Sequence, residues 1–489
     1  MSATNNDFVG YNEWAQRTLG VVIATDFVYE QQAPDERGVF IAEDVAPHTQ
    51  VFSIPLASLL TVRSVHCDQR PSGRATNHLQ PLAFFQQCDA DREDDQLAIA
   101  LLYEKYVARA ASKWSKHIEL LPASYHNVLY FGDDDLKRLR GSNLFLIAQQ
   151  MEQKVSDDYT KLKEAVLQPL FDTLLSDTAT GSEFSQTQLE ECFSLESYKW
   201  ALSTIWSRFV SLRVAKSDGS QSGSESSFVV NRNERELSSS SAESFFGMTR
   251  VKAMVPVFDM LNHDPEAEMD HFFDLETQSF KLVSHQHWSA GTQMFINYGA
   301  LSNHKLLALY GFVIDQNPFD ALDLWVPMDE TTTSHFEAKA ELLAENGFDH
   351  STTPFELTPD ELNELLLITV RIQEIDCDSS EQLQALAVKA LDGEVLNFDN
   401  EHATLTRLIY TLQKMLEEFE DGSLESDDAL LRALESESEK ASETTEATPA
   451  DNRKLHERMA VVVRRSDKNI LAENIEMLKW KLLEILPTP

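Results

Sequence analysis

Three clusters hold the side chains that could do chemistry. Asp259-Met260-Leu261-Asn262-His263-Asp264 sets carboxylates, an amide and an imidazole behind the apolar run Met254-Val255-Pro256-Val257-Phe258. Groups of this kind need hydrogen-bond partners wherever they are buried, so the cluster is either a cap or turn, or a site. Asn297-Tyr298-Gly299 is followed by Ser302-Asn303-His304 and by Tyr310-Gly311-Phe312-Val313. A lone tyrosine at a strand end signals amphipathic packing. Asp35-Glu36-Arg37-Gly38 stands before a strand and reads, alone, as an acidic β-turn. Together the three are far more specific than any one. A metal centre is the competing chemistry. His263, Asp264, His271, His285 and His287 fall within 25 positions and could offer iron a set of imidazole and carboxylate ligands. The set lacks a close His-x-Asp pair, and His285-Gln286-His287 alternates across a strand turn, so no metal is expected.

The elements that must position these residues change character along the chain. Gly38–Ile41 and Val51–Pro55 are β-rich runs separated by turn formers. Leu97, Leu101, Leu102 and Tyr106 recur at helical spacing, and the chain stays mostly helical to about Phe209. β character then returns. His271-Phe272-Phe273 and Phe280–Val283 bracket a turn and predict a hairpin, and Gln293–Tyr298 predicts a further strand. Ser302 is a fair N-cap for a helix carrying Leu306, Leu307 and Tyr310. Beyond Trp325 the pattern is helical again, ending in a strong stripe of Leu455, Met459, Val462, Val463, Ile470, Leu471, Leu478 and Leu482. A sheet split by a long helical piece must reassemble from distant parts, and the rejoined strand ends are the place to look for a site.

The composition narrows the partners. The 489 residues include 80 Asp plus Glu and 41 Lys plus Arg, a formal charge of −39. That charge argues against direct nucleic-acid binding and against docking on anionic membranes. It suits a basic partner. No apolar run is long enough to span a bilayer, and the N-terminus does not read as a secretory signal. Cys67, Cys88, Cys192 and Cys377 lie far apart, which predicts free thiols and no zinc ribbon. Two low-complexity stretches stand out. Residues 217–244 are serine-rich and read as an insertion loop. Residues 417–446 carry twelve acids and two bases, lack an apolar stripe, and predict a solvated, disordered loop.

VPVFDMLNHD and INYGALSNHKLLALYGFV resemble the SET-domain methyltransferases, and more narrowly the class typified by the Rubisco large-subunit lysine methyltransferase. SKWSKHIELLPASYHNVLYFGDDDLKRLRGSNL is similar to that class's helical insert, and VVVRRSDKNIL to its C-terminal domain. The resemblance implies an α+β protein. Its SET domain would span 10–320, with a β-rich core with a knot-like crossing at 10–65 and 206–320, split by the insert at 75–205 and by the serine-rich loop. An all-α substrate-binding domain would follow at 325–489, interrupted by an acidic disordered loop at 420–450. It implies S-adenosyl-L-methionine (SAM) as methyl donor. Asp35, Glu36, Arg37, Arg208, Asn262, His263, Tyr298 and Phe312 would bind it. Tyr298 would be the catalytic tyrosine, and Phe209 and Tyr310 would line the substrate channel.

These roles make physical sense. Methyl transfer from a sulfonium is an in-line displacement, and alignment alone can lower such a barrier by up to ~7–11 kcal/mol. The lysine amine must be neutral, although its ordinary pKa is about 10.4. An aromatic channel disfavours the ammonium by desolvation and still guides its cationic head. The family's first turn reads Gly-x-Gly, whereas here Glu36 takes the first position; a SET-like binding module without catalysis is the reading this departure motivates. Some relatives methylate histidine, marked by an Asn near the Arg208 position; here Phe209 and Val210 follow Arg208, which favours lysine. The expected target is a basic protein, a ribosomal protein first, met by a monomeric enzyme in the cytoplasm or also the nucleus.

Overall fold

The computed structural model describes residues 8–33, 36–67, 78–79, 82–85, 90–177, 184–215, 228–229, 248–349, 351–419, 423–441 and 449–486. Most of the serine-rich stretch and Asp35 lie outside them. The β-rich part is built from small sheets. β1 (Val22–Ile23), β4 (Thr49–Pro55), β10 (Ser279–Ser284), β9 (Met269–Asp274) and β6 (Phe228–Val229) form one sheet in the order β1-β4-β10-β9-β6. β9 and β10 make the expected hairpin, with Phe280 opposite Phe273. Burial alternates along both strands, as a half-buried antiparallel pair requires. From the serine-rich stretch only Phe228–Val229 is described, and it adds an edge strand beside Phe272 and Phe273.

β2 (Phe27–Ala33) pairs with β3 (Glu36–Ile41), and β5 (Phe209–Ala215) with β7 (Met248–Met254). The β2–β3 register shifts between Gln31 and Ala33, so Glu36 enters its strand opposite an irregularity. The apolar run at 254–258 divides. β7 stops at Met254, Val257 turns with φ 76° and ψ −54°, and Phe258–Met260 forms a single 3₁₀ turn. A buried β-branched residue with those angles is strained, a cost on the order of 1–3 kcal/mol that the surrounding packing must offset. β8 (Asn262–His263) then runs parallel to β11 (Phe295–Ile296), the one parallel pairing among the described strands. The strand expected over 293–298 is thus only two residues long, and Tyr298 sits just past its end.

Helices fill the insert. The helix Glu93–Tyr103 buries Leu97, Ala98, Ile99, Ala100, Leu101 and Leu102. It packs on the helix Leu195–Arg208, which starts at the N-cap Ser194. Each fully buried Leu or Ile here contributes about 1.5–3 kcal/mol, and their core is continuous with that of the SET strands. Helix Leu195–Arg208 passes directly into β5, leaving Arg208 at the junction. Ser302 does not cap its helix with its side chain; Asp320 Oδ1 accepts from the Asn303 N–H at 2.8 Å instead.

The C-terminal part is helical except for β12 (Leu322–Leu324) pairing with β13 (Phe355–Leu357). Its last helix, Pro449–Ile485, packs on both Phe398–Glu417 and Leu424–Ala441. The acidic stretch therefore departs from the expected disordered loop. Residues 424–441 form a helix. Asp427 is buried in it, and its carboxylate accepts from Arg464 Nε at 3.0 Å and from Lys468 Nζ at 2.7 Å. Leu431 packs on Val461 and Val462. An apolar stripe is thin here because part of the helix's buried contact is ionic.

Candidate active site

A cavity of about 950 Å³ opens where the reassembled pieces meet. β3 supplies Arg37, Gly38 and Val39; the insert supplies Leu120 and Pro122–His126; the helix end supplies Arg208; and the turn after β7 supplies Asp259 and Met260. Asn262 and His263 on β8, Phe295 and Tyr298, and Tyr310–Val313 complete the SET side. Asn452 enters from the C-terminal helix. The space is close-fitting at two glycines. A Cβ on Gly38 would lie 2.8 Å from Phe40 Cε2 and 2.9 Å from Gln293 Cδ. One on Gly311, at φ 79°, would lie 2.7 Å from the Asn127 backbone nitrogen.

Tyr298 is fixed from three sides. Its hydroxyl donates to the Leu261 carbonyl at 2.7 Å. Its backbone N–H donates to His263 Nδ1 at 3.0 Å. That acceptor role places the His263 hydrogen on Nε2 and makes the imidazole neutral. The Tyr298 ring stacks between His263, with centroids 5.0 Å apart, and Tyr310 at 5.2 Å. Phe312 meets Tyr310 edge-on at 6.1 Å. The result is a wall of aromatic faces around a phenol oxygen whose proton is committed to a carbonyl.

The other side of the cavity is polar. Asn262 Nδ2 donates to the Arg37 carbonyl at 2.6 Å, tying β8 to β3. Arg37 Nη1 donates to the Leu120 carbonyl, and the guanidinium lies over the Phe8 ring. Arg208 Nη1 donates to the backbone oxygen of Asp259. Arg208 Nε and Asp259 Oδ1 are both buried without a hydrogen-bond partner among the described residues. Burial works against the Arg208 charge, but Tyr125, Asp259 and Tyr298 outweigh it and hold the guanidinium's pKa above its ordinary value. Arg208 lines the cavity, whereas the Asp259 side chain is sealed from it and only the Asp259 backbone is exposed.

The site residues named from sequence mostly gather here. Arg37, Arg208, Asn262, His263, Tyr298, Tyr310 and Phe312 all line the cavity. Asp35 lies outside the described residues, and of Glu36 only its place at the start of β3 is described. Phe209 is placed elsewhere. It begins β5 opposite Met254 with the Lys252 ammonium 4.9 Å above its ring, and it is absent from the cavity lining. Asp259 was missed as a site residue: beside an apolar run it reads as a turn or cap, and only the fold shows its carboxylate buried. The five candidate metal ligands disperse. His263 stacks on Tyr298, His271 packs against Phe258 and Phe280, and His285 bonds Asp270. Among the described residues no three His, Cys, Asp or Glu side chains are grouped to hold a metal ion.

Comparison with known proteins agrees with this geometry. Residues 330–471 match the family model described as Rubisco LSMT substrate-binding. The crystal structure of the SET domain of LSMT bound to lysine and AdoHcy superposes with a TM-score of 0.69 at 18% identity, covering 98% of this chain and 92% of that one. Rubisco LSMT bound to AdoMet gives 0.66 at 18% identity, covering 98% and 93%. Among curated proteins, the actin-histidine N-methyltransferase of Drosophila melanogaster is 26% identical over 386 residues, 77% of this chain and 63% of that protein. Those of Mus musculus and Homo sapiens are each 25% identical, covering 55% and 52% of this chain and 41% and 36% of their own length. The chain thus spans less than two thirds of the curated relatives it matches. The fold is that of a SET domain split by a helical insert and joined to a helical substrate-binding domain. In fold the chain is similar to the Rubisco LSMT structures, and its residues 330–471 match the substrate-binding family model.

Proposed function

We propose that the protein is a SAM-dependent methyltransferase that methylates a side-chain nitrogen of a protein substrate, with the lysine ε-amine as first acceptor. The observation that carries this is the pairing, in one cavity, of the Arg208 guanidinium with the aromatic wall around Tyr298. The polar end fits an amino-acid carboxylate: Arg208 would take that of the methionine part. Gly38, where a side chain has no room, lets backbone close on the donor. When bound, SAM supplies a methyl group made electrophilic by its sulfonium. Tyr298, its proton held by Leu261, would offer oxygen lone pairs that orient the acceptor amine and stabilise positive charge at the transferring carbon. Tyr310 and Phe312 would guide a cationic side chain and, by excluding water, favour its neutral form.

A histidine acceptor is the second reading. The actin-histidine methyltransferase relatives favour it, whereas the aromatic wall and the lysine-bound LSMT structure favour lysine. The net charge of −39 supports a basic target. The test is transfer of labelled methyl groups from SAM to fractionated basic proteins, followed by hydrolysis to separate methyl-lysine from methyl-histidine. Methyl-histidine alone would move the acceptor to the second reading. Binding of SAM with no transfer on a wide panel would favour a non-catalytic module, and absence of both would end the methyltransferase reading.

A further inference from the structure

Asp259 is backed by two buried side chains from distant parts of the chain. Its Oδ2 lies 3.0 Å from His117 Nε2, and His117 Nδ1 lies 2.7 Å from Tyr11 Oη. Tyr11 comes from the N-terminal helix Tyr11–Trp14, His117 from the insert helix Ser115–Glu119, and Asp259 from the turn after β7. All three are buried, and the Asp259 side chain has no exposure. The direction of the hydrogen bonds follows from chemistry. Burial first, then the nearby Tyr29 and Asp259, push the Tyr11 hydroxyl well above its ordinary pKa, so it stays protonated. A protonated phenol donating to Nδ1 leaves the imidazole hydrogen on Nε2, aimed at the carboxylate. The opposite tautomer would set a lone pair against Oδ2 and leave a buried carboxylate without a donor there.

We propose that Tyr11 and His117 are positioning residues that hold Asp259 and, through its backbone oxygen, the Arg208 guanidinium in place for the carboxylate of the methyl donor. The first helix of the chain is then part of the donor site, although only its neighbour Phe8 lines the cavity. This inference rests on the SAM reading above. Arg208, which anchors the Asp259 backbone oxygen, and His117, which anchors its side chain, act on the same residue from two sides.

The test compares two ligands on the full chain by titration calorimetry. S-adenosyl-L-homocysteine carries the amino-acid carboxylate, whereas 5′-deoxy-5′-(methylthio)adenosine lacks the amino-acid part. Tyr11→Phe and His117→Leu are expected to raise the Kd of the first about tenfold, as for loss of one charge-assisted hydrogen bond, and to leave the second within about twofold. His117→Gln, which keeps a donor for Asp259, is expected to bind closer to wild type than His117→Leu. Unchanged Kd values, or equal weakening of both ligands with no recovery in His117→Gln, would overturn the inference. A wild-type chain that binds neither SAM nor S-adenosyl-L-homocysteine would overturn the methyltransferase reading itself.

Discussion

Tyr298 joins the strand end, the imidazole and the aromatic wall in one side chain, through the contacts to Leu261, His263 and Tyr310. Removing its oxygen leaves the ring stacked and the backbone bond intact. Tyr298→Phe is therefore expected to lower kcat about 10²- to 10³-fold, as loss of one preorganised polar group does, with the SAM Kd within about twofold of wild type. Single-turnover methyl transfer beside calorimetric SAM binding checks this. Equal losses in turnover and binding would instead make Tyr298 a donor-binding residue. At this scale the sequence was readable where side-chain type and spacing together constrain a role, as at Asn262, His263, Tyr298 and Tyr310. It was unreadable at Asp259, because one carboxylate serves as turn former or buried ligand depending on partners more than a hundred positions away, such as His117. Phe209 is a different case. Its neighbour Arg208 ends a helix and lines the cavity, whereas Phe209 opens β5 and is not among the lining residues.

Helices and strands declare themselves through apolar periodicity, which is why the β9–β10 hairpin, the insert helices and the last helix were legible. The pairing of β8 with β11 was not, since two residues carry no period. The acidic helix Leu424–Ala441 escaped for a physical reason: in place of a broad apolar stripe it buries the carboxylate of Asp427 between Arg464 and Lys468. Their side chains are 4% and 3% exposed. Asp427→Ala would remove the buried carboxylate that both cations share, which costs about 3–5 kcal/mol. Hydrogen exchange should then show residues 424–441 opening far more readily, while the helix Glu93–Tyr103 keeps its protection. Replacing Asp427, Arg464 and Lys468 together by apolar residues of similar volume is expected to restore much of that protection. Unchanged exchange in Asp427→Ala would show that the ion triad does not hold the helix.

At the scale of the whole molecule, the C-terminal helix is built into the SET part. Met459, Ala460 and Val463 share a core with Val128 and Leu144 of the insert and with Leu307 and Ala308 beyond Tyr298. A buried ion pair crosses the same interface. His304 Nε2 lies 2.8 and 2.9 Å from the two oxygens of Asp467, with Ser142 Oγ at 3.3 Å. Burial lowers the His304 pKa, but Asp467, with help from Asp320 and Asp323, reverses the effect and raises it overall. A histidine whose folded pKa is raised stabilises the folded state in full below the unfolded value, near 6.5, and loses that contribution as pH climbs through the raised value. Docking of the helix Pro449–Ile485 on the SET part should accordingly weaken between about pH 6.5 and the alkaline side of the raised pKa. Asp467→Asn removes the charge that raises it, so the variant should be less stable near pH 6 and approach wild type as pH rises. Thermal unfolding and hydrogen exchange of residues 449–485, measured across that range for both proteins, read the difference directly. Parallel pH profiles would mean that His304 is neutral in the folded protein and that apolar packing alone joins the two parts.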